Sequence, residues 1–483
     1  MREMHLPWLE LAIVIPLIGS LLTWRVRPEQ AQRRGVIAAA LTLLCSVCAW
    51  EDFTTLHTFA AHDHWYFSRN YLGDDVLVID ELSAPLLSLA SLTYLVTMIA
   101  TLKTKIRRFS FSGTLLSLSI LIATLCSRES WLLVALLGLG TVPIYFELRS
   151  RKKPTNVFVL HMGLSMVLLS AGWALVQWEG STPTHSVLAV ALLTVAVLIR
   201  TGVAPLHCWM TDLFEHATFG SALLFVTPLV GAYAAMHFVF PIAPEWALKL
   251  MSVASMVTAV YAGAMATVQR EARRFFCYLF LSHASFILVG LEIGTPMGLA
   301  GALSVWLAVG LSLTGFGLVL RSVEARMGRL SLREFHGLYE HIPTLAVFFA
   351  LTGLASVGFP GTFGFFGTEM LIDSAVQESP EIGLFIVIAA MLNGIAILQA
   401  YFRIFTGRRH HASVSIRSRS SERIAVLLMA AIILGGGIYP QPGIASRHQA
   451  AVHLFAEREA AQERLQKQFD RAKSVTSDAV STP

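Results

Sequence analysis

The stretch from residue 196 to 224, AVLIRTGVAPLHCWMTDLFEHATFGSALL, decides how this sequence is interpreted. It begins as an apolar helix, in which Arg200 follows a long apolar run, and Gly202 and Pro205 then interrupt the helix. A cation at this depth in lipid costs several kcal/mol unless it faces protein or water. The backbone groups that such a break frees must also be satisfied by protein or a wet cavity. The pattern indicates an ion path, and the alternative is a Pro-kinked helix whose Arg side chain reaches the membrane interface.

The composition of the whole chain is that of a membrane protein. Its 483 residues are 55% hydrophobic and only 14% charged, and the mean hydropathy is +0.63. A soluble protein carries nearer 25% charged residues. The small positive net charge does not indicate nucleic-acid binding, because the basic residues lie in short loops between apolar segments.

Fourteen apolar segments are long enough to cross a bilayer as helices. Two further short segments, 206–216 and 363–376, are predicted to be second halves of broken helices. The predicted fold is therefore all-α, with about 14 transmembrane helices. The predicted spans lie near residues 6–24, 35–50, 83–102, 110–126, 131–148, 156–178, 185–204, 220–240, 245–267, 274–293, 297–320, 343–360, 382–405 and 422–439.

The distribution of charge predicts the orientation of the chain in the membrane. If the N-terminus lies outside, the loops that alternate to the inside carry 25 of the 36 Lys and Arg residues. Cytoplasmic loops carry this excess in membrane proteins. An even number of spans then places both termini outside, and the expected location is the inner (plasma) membrane.

A second break follows the pattern of the first. Residues 354–372, LASVGFPGTFGFFGTEMLI, run an apolar helix into Gly358, Pro360 and Gly361, and a short helix with Glu369 follows. Each break lies in the fourth span of a block of five, spans 4–8 and 9–13. Blocks of five have opposite orientations, and inverted repeats with discontinuous helices mark transport sites near the bilayer midplane.

These motifs resemble the antiporter-like membrane subunits of NADH:quinone oxidoreductase (complex I, subunit M/ND4 type), membrane-bound hydrogenases and Mrp cation/proton antiporters. The first break carries Pro205, His207, Trp209 and Asp212, followed by the Ser-Ala-Leu-Leu of residues 221–224. Residues 269–290, QREARRFFCYLFLSHASFILVG, match the basic turn and Ser-His-x-x-Phe helix of that family. The second broken helix matches as well, and the likeness covers roughly residues 75–410.

The resemblance implies two inverted five-helix repeats and a central chain of buried ionisable residues that moves protons or cations. Redox chemistry elsewhere in a complex would drive it, so the chain would be a translocase subunit without a catalytic centre of its own. The implied partners are other membrane subunits of a complex I-like, hydrogenase-like or Mrp-like assembly, within the lipid bilayer. No cofactor and no metal are expected. Cys45 and Cys48 form a CxxC inside an apolar span, and we interpret them as packing residues.

The sequence departs from the family at several ionisable positions. The fifth-span glutamate falls on Gly138, and the seventh-span lysine is replaced by Arg200, which cannot readily release its proton. The eighth-span Lys or His falls near Leu229. Thr368 occupies the position of the charged residue after the second break, with Glu369 one place further on. Two other family histidines fall on Phe225 and Val309.

The remaining ionisable residues are candidates for the ion path: Arg200, Glu369, His283, Glu147, His161, His207 and Asp212. Arg200 is either a fixed cation beside a carboxylate or a structural counter-charge at the break. His283 and His161 are either proton relays or satisfied core residues. Glu369 either replaces the displaced carboxylate or lies at the interface. We expect His207 and Asp212 to hydrogen-bond the freed backbone, with proton uptake as the alternative.

The expected organisation has five parts. Residues 1–109 hold N-terminal spans and an outer loop, where Tyr66 and Phe67 are predicted to form a hairpin with 76–79. Residues 110–240 and 244–406 are the two repeats, 407–448 contain the last span, and 449–483 are an amphipathic helix with a disordered end. Besides ion translocation, a non-pumping scaffold of the same fold and a coupling subunit for antiport or inorganic-carbon uptake remain open.

Overall fold

The computed structural model describes residues 2–63, 76–102, 105–180, 185–407 and 417–480, with side chains as far as residue 463. The described chain is largely helical. Its α-helices are α1 Trp8–Thr23, α2 Pro28–Thr55, α3 Ser83–Ile99, α4 Phe111–Cys126, α5 Ser130–Leu139, α6 Val142–Ser150, α7 Asn156–Glu179, α8 Val187–Thr201, α9 Cys208–His216, α10 Phe219–Val226, α11 Val230–Ala234, α12 Glu245–Val268, α13 Ala272–Val289, α14 Pro296–Met327, α15 Pro343–Ser356, α16 Phe363–Glu378, α17 Pro380–Phe405, α18 Ser420–Ile438 and α19 Gln441–Val480.

The described helices agree with the predicted spans. Nine helical stretches of at least 18 residues are long and apolar enough to cross a membrane, and five shorter apolar helices accompany them. Each of these fourteen coincides with one predicted span. Two of the short helices, α8 and α15, are short because the Gly-Pro breaks end them, and α9 and α16 are the predicted second halves.

Helix α14 is the centre of the fold. It is almost entirely buried, and at 32 residues it is about 48 Å long, which exceeds the hydrocarbon thickness. Its last turns carry two ion pairs to neighbouring helices. Glu324 pairs with Arg273 of α13 at 2.5 Å, and Arg326 pairs with the buried Glu422 of α18 at 2.5 Å. These pairs tie the C-terminal end of α14 to α13 and α18.

Two spans that were predicted as continuous are broken. The fifth divides into α5 and α6 at Gly140 and Thr141, because Pro143 cannot continue the hydrogen bonding of a helix. The eighth divides after Thr227 and Pro228, where Leu229 adopts a left-handed conformation with φ +52°. A π-helical turn, Ala235–Val239, ends this span. Among the described residues, four spans are therefore broken where the sequence predicted two.

The two chain ends lie on one face. Strand β1 (Arg2–Glu3) pairs with β2 (Ala60–His62), which pairs antiparallel with β3 (Val78–Asp80). Helix α19 reaches the same face, since His453 stacks on Phe59 at 5.1 Å. Following the orientation predicted from the loop charges, we name this the outer face, and the opposite face, which carries Arg108, Arg151 and Arg326, the inner face. The predicted hairpin is partly correct, because β3 contains Val78 and Ile79 but pairs with β2; Tyr66 and Phe67 lie outside the described residues.

Helix α19 begins before the predicted residue 449, because Pro442 in its first turn favours a helix start at Gln441, and it continues to Val480. Two arginines attach it to the outer face. Arg447 is buried and donates to the carbonyls of Glu81 and Leu82. Burial lowers the pKa of Arg447 to about 10, so its guanidinium stays charged at neutral pH. Arg458 donates to the carbonyls of Phe240 and Ala243 beyond the eighth span, at 2.7 and 2.8 Å.

Candidate functional site

The first break lies between α8 and α9; Thr201, Gly202 and Val203 are buried, whereas Pro205 and Cys208 beyond them are exposed. Gly202 ends α8 with φ +81°, a conformation that favours glycine. The indole N–H of Trp209 donates to the carbonyl of Ile199 at 2.8 Å, and the N–H of Ala204 donates to the hydroxyl of Thr258 at 3.0 Å. Protein side chains thus satisfy backbone groups that the break frees, as a break within a membrane requires.

Arg200 points into the protein, with 8% of its surface exposed. One guanidinium nitrogen lies 2.9 Å from the sulfur of Met162, and another donates to the carbonyl of Leu137 at 3.4 Å. The guanidinium carbon lies 5.2 Å from the ring centre of Phe225. Within the described part of the chain no carboxylate lies within ion-pair distance of Arg200, so the predicted carboxylate partner is not found there.

The carbonyl of Leu137 is available to Arg200 because α5 ends beside it. The N–H of Gly140 donates to the carbonyl of Leu136, and the N–H of Thr141 donates to the carbonyl of Gly138. Neither of these hydrogen bonds uses the carbonyl of Leu137, which lies between them in the chain. The last carbonyls of a helix carry partial negative charge, and a cation there is favourable. Gly138, the position that the family resemblance assigns to a glutamate, lies next in the chain. Arg200 therefore binds a helix end where a carboxylate is missing.

A large cavity opens near the inner face. This inner cavity has a volume of about 930 Å³ and is lined by Arg107, Arg108, Glu147, Arg151 and apolar side chains that include Trp24 and residues of α4 and α6. A second cavity of about 30 Å³, the Arg200 cavity, is lined by Arg200, Thr124, Leu137 and Phe225 among others.

The two cavities meet at shared walls. Tyr94, Ser117 and Leu224 line both of them, and the hydroxyls of Tyr94 and Ser117 lie 2.9 Å apart. A further small cavity, lined by Thr93, Thr227 and Pro228, continues toward the outer end of α3 and shares Pro228 with the Arg200 cavity. Hydroxyl groups and the broken eighth span therefore mark a row of cavities that begins near the inner face and passes Arg200.

His207 and Asp212 follow the break but do not have the expected role. Trp209 and Thr258 bind the freed backbone instead. His207 packs against Tyr261 and Tyr278, at ring distances of 5.6 and 5.9 Å. Among the described residues its buried Nδ1 atom has no hydrogen-bond partner.

The remaining residues near the first break contact their immediate neighbours, although among the described residues Oδ2 of Asp212 is buried without a hydrogen-bond partner. A carboxylate oxygen of Asp212 lies 3.1 Å from Nδ1 of His216, within one turn of α9. His161 donates from Nδ1 to the carbonyl of Val157 at 2.8 Å, within its own helix. Glu147 accepts from the N–H of Thr218 at 2.9 Å, the residue that caps α10.

The second break lies between α15 and α16. Gly358 and Gly361 have φ values of +79° and +85°, and α18 packs so closely that a Cβ at Gly437 would meet the carbonyl oxygen of Gly361 at 2.1 Å. His283 of α13 is buried, donates from Nδ1 to the carbonyl of Leu279 at 2.8 Å, and its ring faces the backbone of Ser356 at the end of α15. A titratable ring thus lies against the break in the second half of the chain.

A buried amide of α17 extends this polar region. Asn393 donates to the hydroxyl of Ser282 at 2.9 Å, and Ser282 donates to the carbonyl of Ala259 at 2.7 Å. Asn393 was not among the predicted site residues, although a lone amide inside an apolar span is a recognisable signal. Tyr94 and Ser117 were not predicted either, because their hydroxyls carry no signal in the sequence.

Glu369 lies on the exposed surface of α16. Thr368, one residue earlier, faces the break instead, since a Cβ at Gly358 would meet its hydroxyl at 2.9 Å. A shift of one residue turns a side chain by about 100° around a helix. Glu369 therefore does not replace an interior carboxylate within this chain, and its face is open to lipid or to another subunit.

Comparison with known proteins agrees with this architecture. Residues 155–393 match the family model described as NADH:quinone oxidoreductase/Mrp antiporter, TM. NADH-quinone oxidoreductase subunit M of Escherichia coli (strain K12) is 26% identical, over 92% of this chain and 97% of the relative. NAD(P)H-quinone oxidoreductase chain 4 of Synechococcus sp. (strain WH7803) is 25% identical, over 94% of this chain and 90% of the relative.

Solved structures show the same fold. A chain of respiratory complex I from Thermus thermophilus superimposes with a TM-score of 0.80 at 22% identity, covering 95% of this chain and 99% of that one. A chain of the Mrp complex from Dietzia sp. DQ12-45-1b superimposes with a TM-score of 0.76 at 17% identity, covering 95% of this chain and 99% of that one. With its matching broken helices and polar motifs, the chain is similar in sequence and fold to the antiporter-like membrane subunits of NADH:quinone oxidoreductases and Mrp antiporters.

Proposed function

We propose that this chain is an ion-translocating membrane subunit of a larger complex, and that the ion is a proton or another small cation. The observation that carries the proposal is the buried Arg200 beside the helix break, together with the row of cavities that leads from it to the inner face. A buried charge beside a discontinuous helix is the arrangement that transporters use at the midplane.

The assembly is proposed from the relatives. The proteins that resemble this chain carry the names of NADH-quinone oxidoreductase subunits, an Mrp complex and a membrane-bound sulfane sulfur reductase. The exposed face of α16 around Glu369 offers a surface for a neighbouring membrane subunit of a complex I-like, hydrogenase-like or Mrp-like assembly. The charge bias of the loops supports an inner-membrane location with the outer face, and both termini, away from the cytoplasm.

The two repeats have separate roles in this proposal. Residues 110–240 hold Arg200, whose fixed charge sets the potential in its cavity. Residues 244–406 hold His283, which exchanges a proton at the second break. Ser282 and Asn393, which hydrogen-bond each other, are its polar neighbours. His207 takes up protons at the inner side through its free ring nitrogen; Glu147, His161 and Asp212 orient the local structure.

A non-pumping scaffold is the second candidate. The missing carboxylate at Arg200 and the exposed position of Glu369 favour it, because both weaken a continuous chain of ionisable groups. A scaffold needs the helix surface and not the interior charge. The two candidates therefore predict different outcomes for a change at Arg200.

The test has two steps. The chain is extracted from its native membrane in mild detergent, and the subunits that accompany it are identified by mass spectrometry. Proton flux is then measured after reconstitution of the complex with wild-type chain, Arg200→Ala or, as a control, Arg128→Ala on the outer face. Loss of flux with intact assembly in Arg200→Ala alone is expected, and unchanged flux would leave the scaffold as the function.

A further inference from the structure

Arg200 carries a charge that the described protein compensates only in part. A guanidinium has five N–H donors, and the described contacts of Arg200 are one carbonyl, one sulfur and one aromatic face. Each of these is a dipole or a polarisable group, and none is an anion. Taking a charge out of water costs several kcal/mol even after relaxation, and buried charges are normally paired.

The Arg200 cavity has the size and the donors for a small anion. Its volume of about 30 Å³ exceeds the 10–15 Å³ that one water needs. Tyr94 and Ser117 both line this cavity and their hydroxyl oxygens lie 2.9 Å apart, so their mutual hydrogen bond uses one of the two hydroxyl hydrogens and leaves the second for another acceptor. Thr124 donates to the carbonyl of Ile120 and so supplies no hydrogen. The polar donors of the cavity are thus the guanidinium and one hydroxyl, which suit an anion.

The inner cavity leads anions toward this position. Arg107, Arg108 and Arg151 line it, against one carboxylate, Glu147. Glu147 is itself engaged, since it accepts from Thr218 and lies 3.5 Å from Arg151. A cleft of one sign of charge raises the local concentration of ions of the opposite sign. The positive net charge of these side chains therefore favours anions over cations in the inner cavity.

We propose that Arg200 binds a monovalent inorganic anion of halide size in the Arg200 cavity, reached through the inner cavity past Tyr94, Ser117 and Leu224. The anion occupies the electrostatic role that an acidic side chain near Gly138 would otherwise fill. The inference concerns binding and not transport. It goes beyond the proposed function, because the chain can move protons with or without it.

The first test is a halide titration. The full chain, with any subunits that copurify, is heated in sodium gluconate, chloride or bromide at equal ionic strength, and loss of folded protein is followed. We expect chloride and bromide to raise the apparent Tm with a saturable dependence on concentration, while gluconate does not. Identical Tm values in all three salts would overturn the proposal.

A carboxylate introduced by substitution at Gly138 provides a matched test. A Cβ at Gly138 would lie 3.3 Å from the terminal methyl carbon of Met166, and Met166 lines a small cavity together with Arg200 and Leu137. In Gly138→Glu the carboxylate replaces the anion, so the halide-dependent rise in Tm should be lost. Gly138→Gln has the same size without the charge and should keep the rise. Equal halide dependence in both variants would contradict an anion at Arg200.

A direct observation completes the test. Bromide scatters anomalously, so crystals of the wild-type protein grown in bromide should show an anomalous peak beside the Arg200 guanidinium. Its absence at a concentration that saturates the Tm rise would overturn the site. Proton flux is not used in any of these measurements, so a failure here leaves the proposed translocation standing, and a failure of translocation leaves the anion site standing.

Discussion

Gly231 lies where the broken eighth span touches the first break, and its replacement should disturb both. A Cβ at this position would lie 2.6 Å from the Cγ2 of Thr201, 2.9 Å from its backbone nitrogen and 3.1 Å from the carbonyl carbon of Arg200. Two of these three atoms belong to the backbone, so a rotamer change cannot relieve the contact. Forced overpacking of this kind costs about 1–3 kcal/mol. We expect Gly231→Ala to lower stability by that amount and to shift Arg200 away from the carbonyl of Leu137.

The assay is thermal inactivation in detergent, followed by proton flux after reconstitution. Gly163→Ala is the matched control, because a Cβ there meets nothing within 4 Å and a helical Gly→Ala change gains up to about 1 kcal/mol. Gly231→Ala should therefore be less stable than wild type and Gly163→Ala at least as stable. Equal stability of the two variants would refute the close approach of the eighth span to the break.

Three further predictions concern single contacts. Trp209→Phe removes the donor to Ile199 and should cost about 1–3 kcal/mol of stability, whereas the same change at Trp178, which is 89% exposed, should cost little; melting of both variants checks this. Arg447→Met leaves the carbonyls of residues 81 and 82 without their donor, so proteolysis should release α19 faster than in wild type. Glu422→Leu breaks the buried pair with Arg326 and should cost about 3–5 kcal/mol, and a second change, Arg326→Met, should recover most of it. No recovery in that double variant would contradict the assignment of the cost to the broken pair.

Much of the fold follows from apolar segment length. Each apolar run of span length became a helix, and the Gly-Pro pairs at 202–205 and 358–361 ended helices as predicted, because positive φ and a missing N–H are local properties. The breaks near Pro143 and Pro228 were missed. Prolines are common in membrane helices, and only the packing of neighbours decides whether one of them ends the helix.

The interior of the site was less predictable, because it depends on the direction of side chains. Glu369 and Thr368 are neighbours in sequence, yet one is exposed and the other faces the break. Tyr94 and Ser117 form a hydrogen bond between two helices, and the sequence does not show which residues of those helices face each other. The partner of Arg200 is a carbonyl, and carbonyls have no sequence signature.

The central claim is that the inner cavity gives access to the Arg200 cavity from the cytoplasmic side. Ser117 lines both cavities, and Ser119, two residues on, is buried and donates to the carbonyl of Ile13. Each is changed to Cys in a background with Cys48→Ser and Cys208→Ser, which leaves three native cysteines, all of them buried. A membrane-impermeant thiol reagent is then applied to sealed vesicles of either orientation.

We expect Ser117→Cys to react when the reagent is on the cytoplasmic side, Ser119→Cys to remain unmodified, and neither to react from the outer side. Labelling of Ser117→Cys only from the outer side, or no more of it than of Ser119→Cys, would contradict the path to Arg200.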